Sequence, residues 1–106
     1  HTHFIMVDSG LEGSKAWGSE IDFRTKFERS MLRKGVPMVL LVVQGGPNTL
    51  STVLSSAKEG CPIVLLSESG GAASAVAEYL KFGTISSPKF QAPQHEKKLQ
   101  AIAKHQ

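Results

Sequence analysis

Three loops rich in glycine and small polar residues follow short apolar runs of the chain. The first loop contains Asp8 and Ser9, and the other two hold glycine pairs at positions 45–46 and 70–71. A glycine pair lets the backbone approach a bound group closely, and a helix that starts behind it directs N–H groups to the same place. Such loops suit a phosphate or a ribose. The candidate ligand-binding residues are Asp8, Ser9, Arg24, Gly45, Gly46, Asn48, Thr49, Ser69, Gly70 and Gly71.

Each of these features also has a purely structural interpretation. A glycine pair makes a tight strand-to-helix turn without any ligand. Arg24 and Lys26 fit a solvated helix face, which is what periodicity alone favours, and Asp8 fits a turn or capping role. Both interpretations stay open for these residues at the level of the sequence.

The sequence contains few residues whose types and spacing would suit catalysis or metal binding. The four histidines fall near the two ends of the chain, so the sequence predicts no metal site. No serine lies in a Gly-x-Ser-x-Gly pattern, and no internal histidine is available as its base. The single cysteine, Cys61, cannot form an internal disulfide, which favours a reducing compartment. We therefore predict a binding or assembly module without catalytic residues.

The length and charge of the chain limit the classes of function that remain. With 106 residues, 41% of them hydrophobic, the chain has enough apolar surface for one small core. A formal charge of +3 is too small for the footprint of a nucleic-acid-binding protein. The uncharged window at residues 35–57 is interrupted by polar turn residues, which argues against direct membrane insertion.

Apolar runs and amphipathic segments alternate along the chain. Three apolar runs predict strands that are buried on both faces: residues 4–7, 39–43 and 63–66. Three segments with helical periodicity predict helices: residues 20–34, 47–60 and 72–83. This order predicts an α/β fold with a Rossmann-like parallel sheet of about three strands. The carboxyl ends of such strands share one edge, so the three loops are expected to converge there.

The end of the chain has a different composition. Serine and proline residues mark residues 84–94 as a linker after a domain at residues 1–83. Residues 95–106 predict a C-terminal helical segment, with Leu99 and Ile102 on one apolar face.

Four blocks of the sequence resemble the N-terminal region of melastatin-type transient receptor potential (TRPM) cation channels. The blocks are HFIMVDSG at residues 3–10, FRTKFE at 23–28, VVQGGPNTL at 42–50 and SGGAA at 69–73. They follow the family's order and cover roughly residues 2–80. The resemblance implies a Rossmann-like SLOG domain, of which residues 1–83 would be the C-terminal half. A partial domain leaves a sheet edge open, so the isolated chain is expected to associate.

The resemblance also implies a role and a setting. It implies a cytosolic regulatory or assembly segment of a cation channel that could be calcium-permeable, with a nucleotide or ADP-ribose-like ligand. The implied partners are other parts of the channel, in a homotetramer at the cytoplasmic face of the plasma membrane, and no nucleic acid. Members that bind ADP-ribose resemble this chain at Arg24, but they carry arginine where this chain has Gly71. Weak or no ADP-ribose binding is therefore expected.

Enzymes of the same fold, the nucleoside-monophosphate phosphoribohydrolases, share the pattern Pro-Gly-Gly-x-Gly-Thr-x-x-Glu. Aligned on the glycine pair, this chain has Gln44, Asn48 and Thr52 in place of the proline, the third glycine and the catalytic glutamate. Threonine cannot ionise to stabilise a cationic sugar, so the resemblance implies no hydrolysis. Two alternatives stay open: a small soluble nucleotide-binding or phosphoribohydrolase-like protein, and a scaffold with a vestigial crevice.

Overall fold

A computed structural model describes residues 1–105. Four α-helices and two strands alternate within these residues: α1 (Ile21–Arg33), β1 (Leu40–Val43), α2 (Pro47–Lys58), β2 (Ile63–Leu66), α3 (Gly71–Phe82) and α4 (Pro93–Lys104). Short 3-10 helices cover Gly13–Ala16 and Pro88–Phe90. The α/β class that the sequence predicts is therefore confirmed.

The two strands are parallel, and one face of the sheet that they form packs against the hydrophobic core. Leu40 lies opposite Ile63, and Val43 lies opposite Leu66. The crossover helix α2 and the following helix α3 pack on one face of this sheet, where Val42 is buried. Alanines on α3 let that helix approach closely. The buried apolar cluster comprises Val42, Leu50, Val53, Ala72, Ala73, Ala75, Val76, Phe90, Leu99 and Ile102.

The strand predicted at residues 4–7 is not observed. Phe4 and Met6 are 76% and 92% exposed, and residues 4–7 make no backbone hydrogen bond to any residue in the described range. An apolar run becomes a strand only when a neighbouring edge accepts its backbone groups. Within residues 1–105, the only strand on either edge of β1 is β2, so the sheet has two strands rather than about three.

The prediction that the strands are buried on both faces is also wrong for these residues. The second face of the sheet carries Leu41, Val43, Val64 and Leu66, and each of these side chains is more than half exposed. The reason is the placement of the helices: α2 and α3 cover the other face, and α1 packs mainly against α2. We call these four side chains the outer sheet face.

The predicted helices are observed with small shifts of their ends. Pro47 is the first residue of α2, as its fixed φ angle and missing N–H favour. Gly83 ends α3 in the left-handed conformation, at a φ of 70°. The C-terminal helix begins at Pro93, two residues before the predicted start at His95, because proline is favoured in the first turn.

The C-terminal segment packs into the same core as the rest of the chain. Helix α4 lies against α2 and contributes Leu99 and Ile102, each 1% exposed. Phe90, from the predicted linker, is equally buried. Lys98 Nζ donates a hydrogen bond to Ser51 Oγ of α2 over 2.9 Å. The tail of the chain is thus fixed to α2 by both apolar and polar contacts.

An ion pair joins α1 to the end of α2. The Arg29 guanidinium donates through Nε and Nη2 to the two carboxylate oxygens of Glu59. This bidentate geometry is the strongest form of such a pair. The hydrogen bond from Arg29 holds the pKa of Glu59 below its ordinary value of 4.5.

We expect the substitution Glu59→Gln to reduce the free energy of unfolding near neutral pH but not in acid. The pKa of this carboxyl is lower in the folded than in the unfolded chain, so the unfolded chain binds the proton first as the pH falls. The contribution of the pair is therefore present above pH 4.5 and lost as the pH falls through the folded-state pKa. It should be small because salt and solvent screen exposed pairs.

Urea unfolding of the wild type and of Glu59→Gln, from about pH 7 to about pH 3, measures this effect. Glu12→Gln is the control, because the Glu12 side chain makes no ion pair within residues 1–105. A difference between Glu59→Gln and the wild type that is the same at every pH would contradict the assignment.

Candidate functional site

A cleft of about 490 Å³ opens between α1, the outer edge of β1 and the first turns of α2. All four residues of β1 line this cleft, and so do Trp17 and Gly18. Several of the predicted binding residues lie here together. The polar lining is made by Glu20, Arg24, Glu28, Gly45, Asn48, Thr49 and Thr52.

Arg24 extends into this cleft from α1. Its Nη2 donates a hydrogen bond to Thr52 Oγ1 over 2.9 Å, and Glu20 and Glu28 lie 4.0 and 3.9 Å from its other nitrogens. The guanidinium is thus held in the cleft with one carboxylate on each side. An anion that binds Arg24 would compete with both carboxylates, which weakens the site for phosphate.

Lys26 and the two candidate residues of the first loop, Asp8 and Ser9, do not line this cleft. Lys26 is exposed on α1. Asp8 Oδ1 accepts the Gly10 N–H over 2.8 Å in a local turn, and the Ser9 and Ser19 hydroxyls are 2.8 Å apart. Because residues 4–7 are not paired with β1, the loop that follows them is not carried to the edge of the sheet.

The two glycine loops are in direct contact with each other. The Ala72 N–H donates to Gly45 O over 2.8 Å, and the Ala73 N–H donates to Gln44 O over 3.0 Å. Ser69 Oγ accepts the Gln44 N–H over 2.8 Å. The sequence predicts that the start of α3 directs free N–H groups at a ligand, but these two N–H groups are already used by the neighbouring loop.

The start of α2 differs from the start of α3. The backbone N–H groups of Gly45, Gly46 and Asn48 make no hydrogen bond to a residue between positions 1 and 105, and Pro47 has no N–H. Gly45 and Asn48 also line the cleft beside Arg24. Three of the donors available to a ligand therefore lie at the first glycine loop, and the Gly71 N–H at the start of α3, which likewise makes no hydrogen bond within residues 1–105, is a fourth.

Gly71 makes the contact between the loops possible, and Gly45 is needed for the close approach to Thr49 within the first loop. A Cβ atom on Gly71 would lie 2.4 Å from Gly45 O, and a Cβ atom on Gly45 would lie 2.5 Å from Thr49 Oγ1. Both residues have positive φ angles, 58° and 95°. Any side chain at position 71, including arginine, would force the loops apart. The glycine at this position therefore has a packing role of its own.

Two side chains that the sequence did not mark as candidates, Trp17 and Lys89, border the first glycine loop. Trp17 is 78% exposed, and it lines both the main cleft and a second cleft of about 520 Å³ that also contains Lys89. Trp17 could have been selected from the sequence, because it is a lone aromatic residue in the glycine-rich stretch at residues 10–18. Lys89 gave no signal, because its place beside this loop depends on how its neighbour Phe90 packs into the core.

Two structural observations concern membranes and metals. Among the described helices, none combines the length and apolar character that a membrane span needs. Within the same residues, no group of three His, Cys, Asp or Glu side chains is placed to hold a metal ion.

Comparison with known proteins adds the family. Residues 1–105 match the family described as "SLOG in TRPM". A TRPM member-like 2 protein of Nematostella vectensis is 40% identical over 87 residues, which is 72% of this chain and 6% of the relative. Mouse TRPM member 2 is 39% identical over 87 residues, 74% of this chain and 6% of the relative. Human TRPM member 7 is 35% identical over 89 residues, 76% of this chain and 5% of the relative.

No solved structure matches the chain significantly. The chain spans about 5–6% of the length of these curated relatives, so their names describe much longer proteins. The family match extends over the α/β core and through α4, and includes the cleft and both glycine loops. The chain belongs to the SLOG family of TRPM channel proteins.

Proposed function

We propose that the chain is a regulatory or assembly segment from the cytosolic N-terminal region of a TRPM-type cation channel. The observation that carries this proposal is the family match over residues 1–105. The proposed setting is the cytoplasmic face of the plasma membrane, and the proposed partners are other parts of a homotetrameric channel. Calcium permeation would belong to those other parts.

We propose that the complete domain has more strands than the two described. The outer sheet face is apolar, and sheets with two apolar faces are usually covered by helices on both. This supports the view that residues 1–83 are the C-terminal half of a SLOG domain with at least a third strand. Residues 84–94 would connect it to the C-terminal helix.

The sequence of the gene around this segment tests the channel proposal. Six hydrophobic spans encoded downstream in the same reading frame are expected. A complete reading frame that encodes no such spans would contradict the proposal and favour the small soluble nucleotide-binding protein.

For the cleft, we propose a nucleotide-type anion as ligand, with low affinity. The available N–H groups of Gly45 and Asn48 in the cleft, together with the Arg24 guanidinium, suit a phosphate, and the N–H of Gly46 lies next to them in the same loop. The carboxylates of Glu20 and Glu28 compete for Arg24. The packed contact at Gly71 leaves no room for a second arginine.

We therefore expect ADP-ribose to bind more weakly than the micromolar range. Titration with ADP-ribose, AMP and inorganic phosphate, followed by amide chemical shifts, should move Gly45, Gly46 and Asn48 only at high ligand concentration. Arg24→Ala should reduce these shifts, because it removes a charge-assisted contact of about 1.5–3 kcal/mol.

Lys26→Ala is the matched control for Arg24→Ala. It removes a cation from the same helix at an exposed position outside the cleft, so it should leave the shifts unchanged. Micromolar affinity for ADP-ribose would contradict the expectation of weak binding. The absence of any shift with all three ligands would instead favour the scaffold alternative.

We also propose that the chain has no phosphoribohydrolase activity. Thr52 lies in the cleft, where it accepts a hydrogen bond from Arg24 and offers no carboxylate. Incubation with AMP should therefore release no adenine above the buffer control. Release of adenine by the wild type that is lost in Thr52→Val would support the enzymatic alternative.

A further inference from the structure

Gln44 has an unusual backbone conformation at the border of the proposed ligand site. Among the residues that the structure describes, it is the only one other than glycine with a positive φ, which is 53°. A Cβ atom disfavours this left-handed conformation about tenfold. Such residues persist only where surrounding contacts hold them, and they cluster at ligand-binding and switch regions. Gln44 directly precedes Gly45, which lines the main cleft.

Both backbone groups of Gln44 are held by the second glycine loop and the start of α3. The parallel pairing of β1 with β2 ends at Val43 and Leu66, and the Ser69 hydroxyl then accepts the Gln44 N–H over 2.8 Å. Gln44 O accepts the Ala73 N–H over 3.0 Å. These two hydrogen bonds fix the peptide planes before and after Gln44, and therefore its φ and ψ angles.

The Ser69 hydroxyl has no proton left for a ligand. Its Oγ donates to Leu66 O over 2.6 Å while it accepts the Gln44 N–H. A serine hydroxyl has only one proton to donate, and a phosphate oxygen needs a donor. Ser69 therefore suits the support of the first glycine loop better than a direct contact with an anion.

The second glycine loop is itself fixed by Ser74 of α3. The Ser74 hydroxyl accepts the Gly70 N–H over 2.8 Å and donates to Ser67 O. Both ends of the loop at residues 67–70 are thus joined to the first turns of α3. The loop presents Ser69 at a fixed position without any ligand.

The contacts with α3 also set the direction of the donors in the first glycine loop. The peptide bonds after Gln44 and Gly45 are trans, so each C=O points opposite to the N–H of the next residue. Gln44 O and Gly45 O both accept N–H groups of α3, so the N–H groups of Gly45 and Gly46 both point away from α3. Within residues 1–105, no residue of α3 lines either cleft beside this loop. The two donors therefore point to the side of the loop where the clefts lie.

We propose that Ser69 is a positioning residue of the ligand site, which acts through Gln44 to aim the N–H groups of Gly45 and Gly46 at one anionic oxygen. Successive N–H groups with a common direction form a concave anion site. The occupant would be a phosphate oxygen of the nucleotide-type ligand, and this part rests on the function proposed above. The second glycine loop then supports the site and does not contact the ligand through Ser69.

Hydrogen exchange without ligand tests the positioning role. Ser69→Ala removes the acceptor of the Gln44 N–H, so Gln44 leaves the left-handed conformation and releases Ala72 and Ala73. The amides of these two alanines should then exchange about tenfold faster than in the wild type. Ser67→Ala is the matched control, because the Ser67 hydroxyl makes no hydrogen bond within residues 1–105, and it should leave both rates unchanged. Unchanged rates in Ser69→Ala would overturn the proposal.

A variant of Gln44 shows whether Ser69 acts through that residue. Glycine adopts a positive φ freely, so the strain is absent from Gln44→Gly. In this background, Ser69→Ala should raise the exchange rates of Ala72 and Ala73 only about two- to threefold. A tenfold increase in both backgrounds would overturn the route through Gln44.

Titration with inorganic phosphate, followed by the amide shifts of Gly45 and Gly46, tests the aim of the donors. Ser69→Ala should weaken phosphate binding about tenfold, because the apparent affinity falls with the fraction of molecules in the competent conformation. Ser67→Ala should bind phosphate as the wild type does. Lower stability of Ser69→Ala with unchanged phosphate affinity would mean a purely structural role and would overturn the proposal. A wild type without any phosphate shift would contradict the proposed function, while the exchange rates of Ala72 and Ala73 would still decide whether Ser69 holds the loop.

Discussion

Replacing Phe90 with alanine should lower the free energy of unfolding by about 3–5 kcal/mol. The phenyl ring is 1% exposed and belongs to the same apolar cluster as Leu50 of α2 and Leu99 of α4. Its removal leaves a cavity where three parts of the chain meet. Stability of a domain of this size is itself only about 5–15 kcal/mol, so much of the chain's stability should be lost. Chemical denaturation measures the change.

Phe82→Ala is the matched control for Phe90→Ala. The Phe82 ring at the end of α3 is 66% exposed, with Lys81 Nζ 5.2 Å from its centroid. Because an exposed cation–π contact contributes about 0.5–1 kcal/mol, this control should change stability by no more than that. Equal effects of the two substitutions would contradict the inclusion of the tail in the common core.

Gly71→Ala should also be strongly destabilising, by about 2–4 kcal/mol. A left-handed φ of 58° costs a residue with a Cβ about 1–2 kcal/mol. The new Cβ would in addition lie 2.4 Å from the Gly45 carbonyl oxygen, a backbone atom that cannot move without breaking the hydrogen bonds between the loops. Thermal and urea unfolding measure the loss.

Gly83→Ala separates the two causes. Gly83 has a left-handed φ of 70°, but a Cβ atom there would meet no atom within 4 Å. This variant should therefore show only the backbone cost of about 1–2 kcal/mol. If Gly71→Ala is no more destabilising than Gly83→Ala, the contact between the loops is not the reason for glycine at position 71.

The packing at Gly71 changes how the missing arginine is understood. The resemblance to TRPM channels suggests a lost phosphate contact at this position. The structure adds that the two glycine loops are joined by hydrogen bonds from Ala72 and Ala73, which an arginine side chain at position 71 would disturb. Gly71→Arg is therefore expected to disrupt the loops rather than to restore a phosphate site.

Local signals predicted the helices well. The four-residue spacing of Phe23, Phe27 and Met31 predicts α1, and Pro47 and Gly83 mark the start of α2 and the end of α3. Each of these signals acts within one or two turns of the chain. A proline or a glycine restricts or permits a φ angle wherever it stands, so the outcome does not depend on distant residues.

The formation of the strands and of the cleft depends on contacts between residues that are far apart in the sequence. The apolar pattern of residues 4–7 matches that of β1 and β2, but only the latter two are paired. Likewise, nothing in the periodicity of α1 separates Arg24 from Lys26. The difference arises because Arg24 meets Thr52 on another helix, where their side chains form a hydrogen bond.

The sequence by itself determined the α/β class, the alternation of elements, the positions of both glycine loops and the resemblance to the TRPM family. These properties follow from local backbone preferences and from the order of motifs along the chain. Only the tertiary structure decided that the loops bind each other, that one sheet face stays exposed, and that Phe90 and α4 complete the core. Those properties depend on which surfaces meet, and a side chain's neighbours in space are not encoded by its neighbours in sequence.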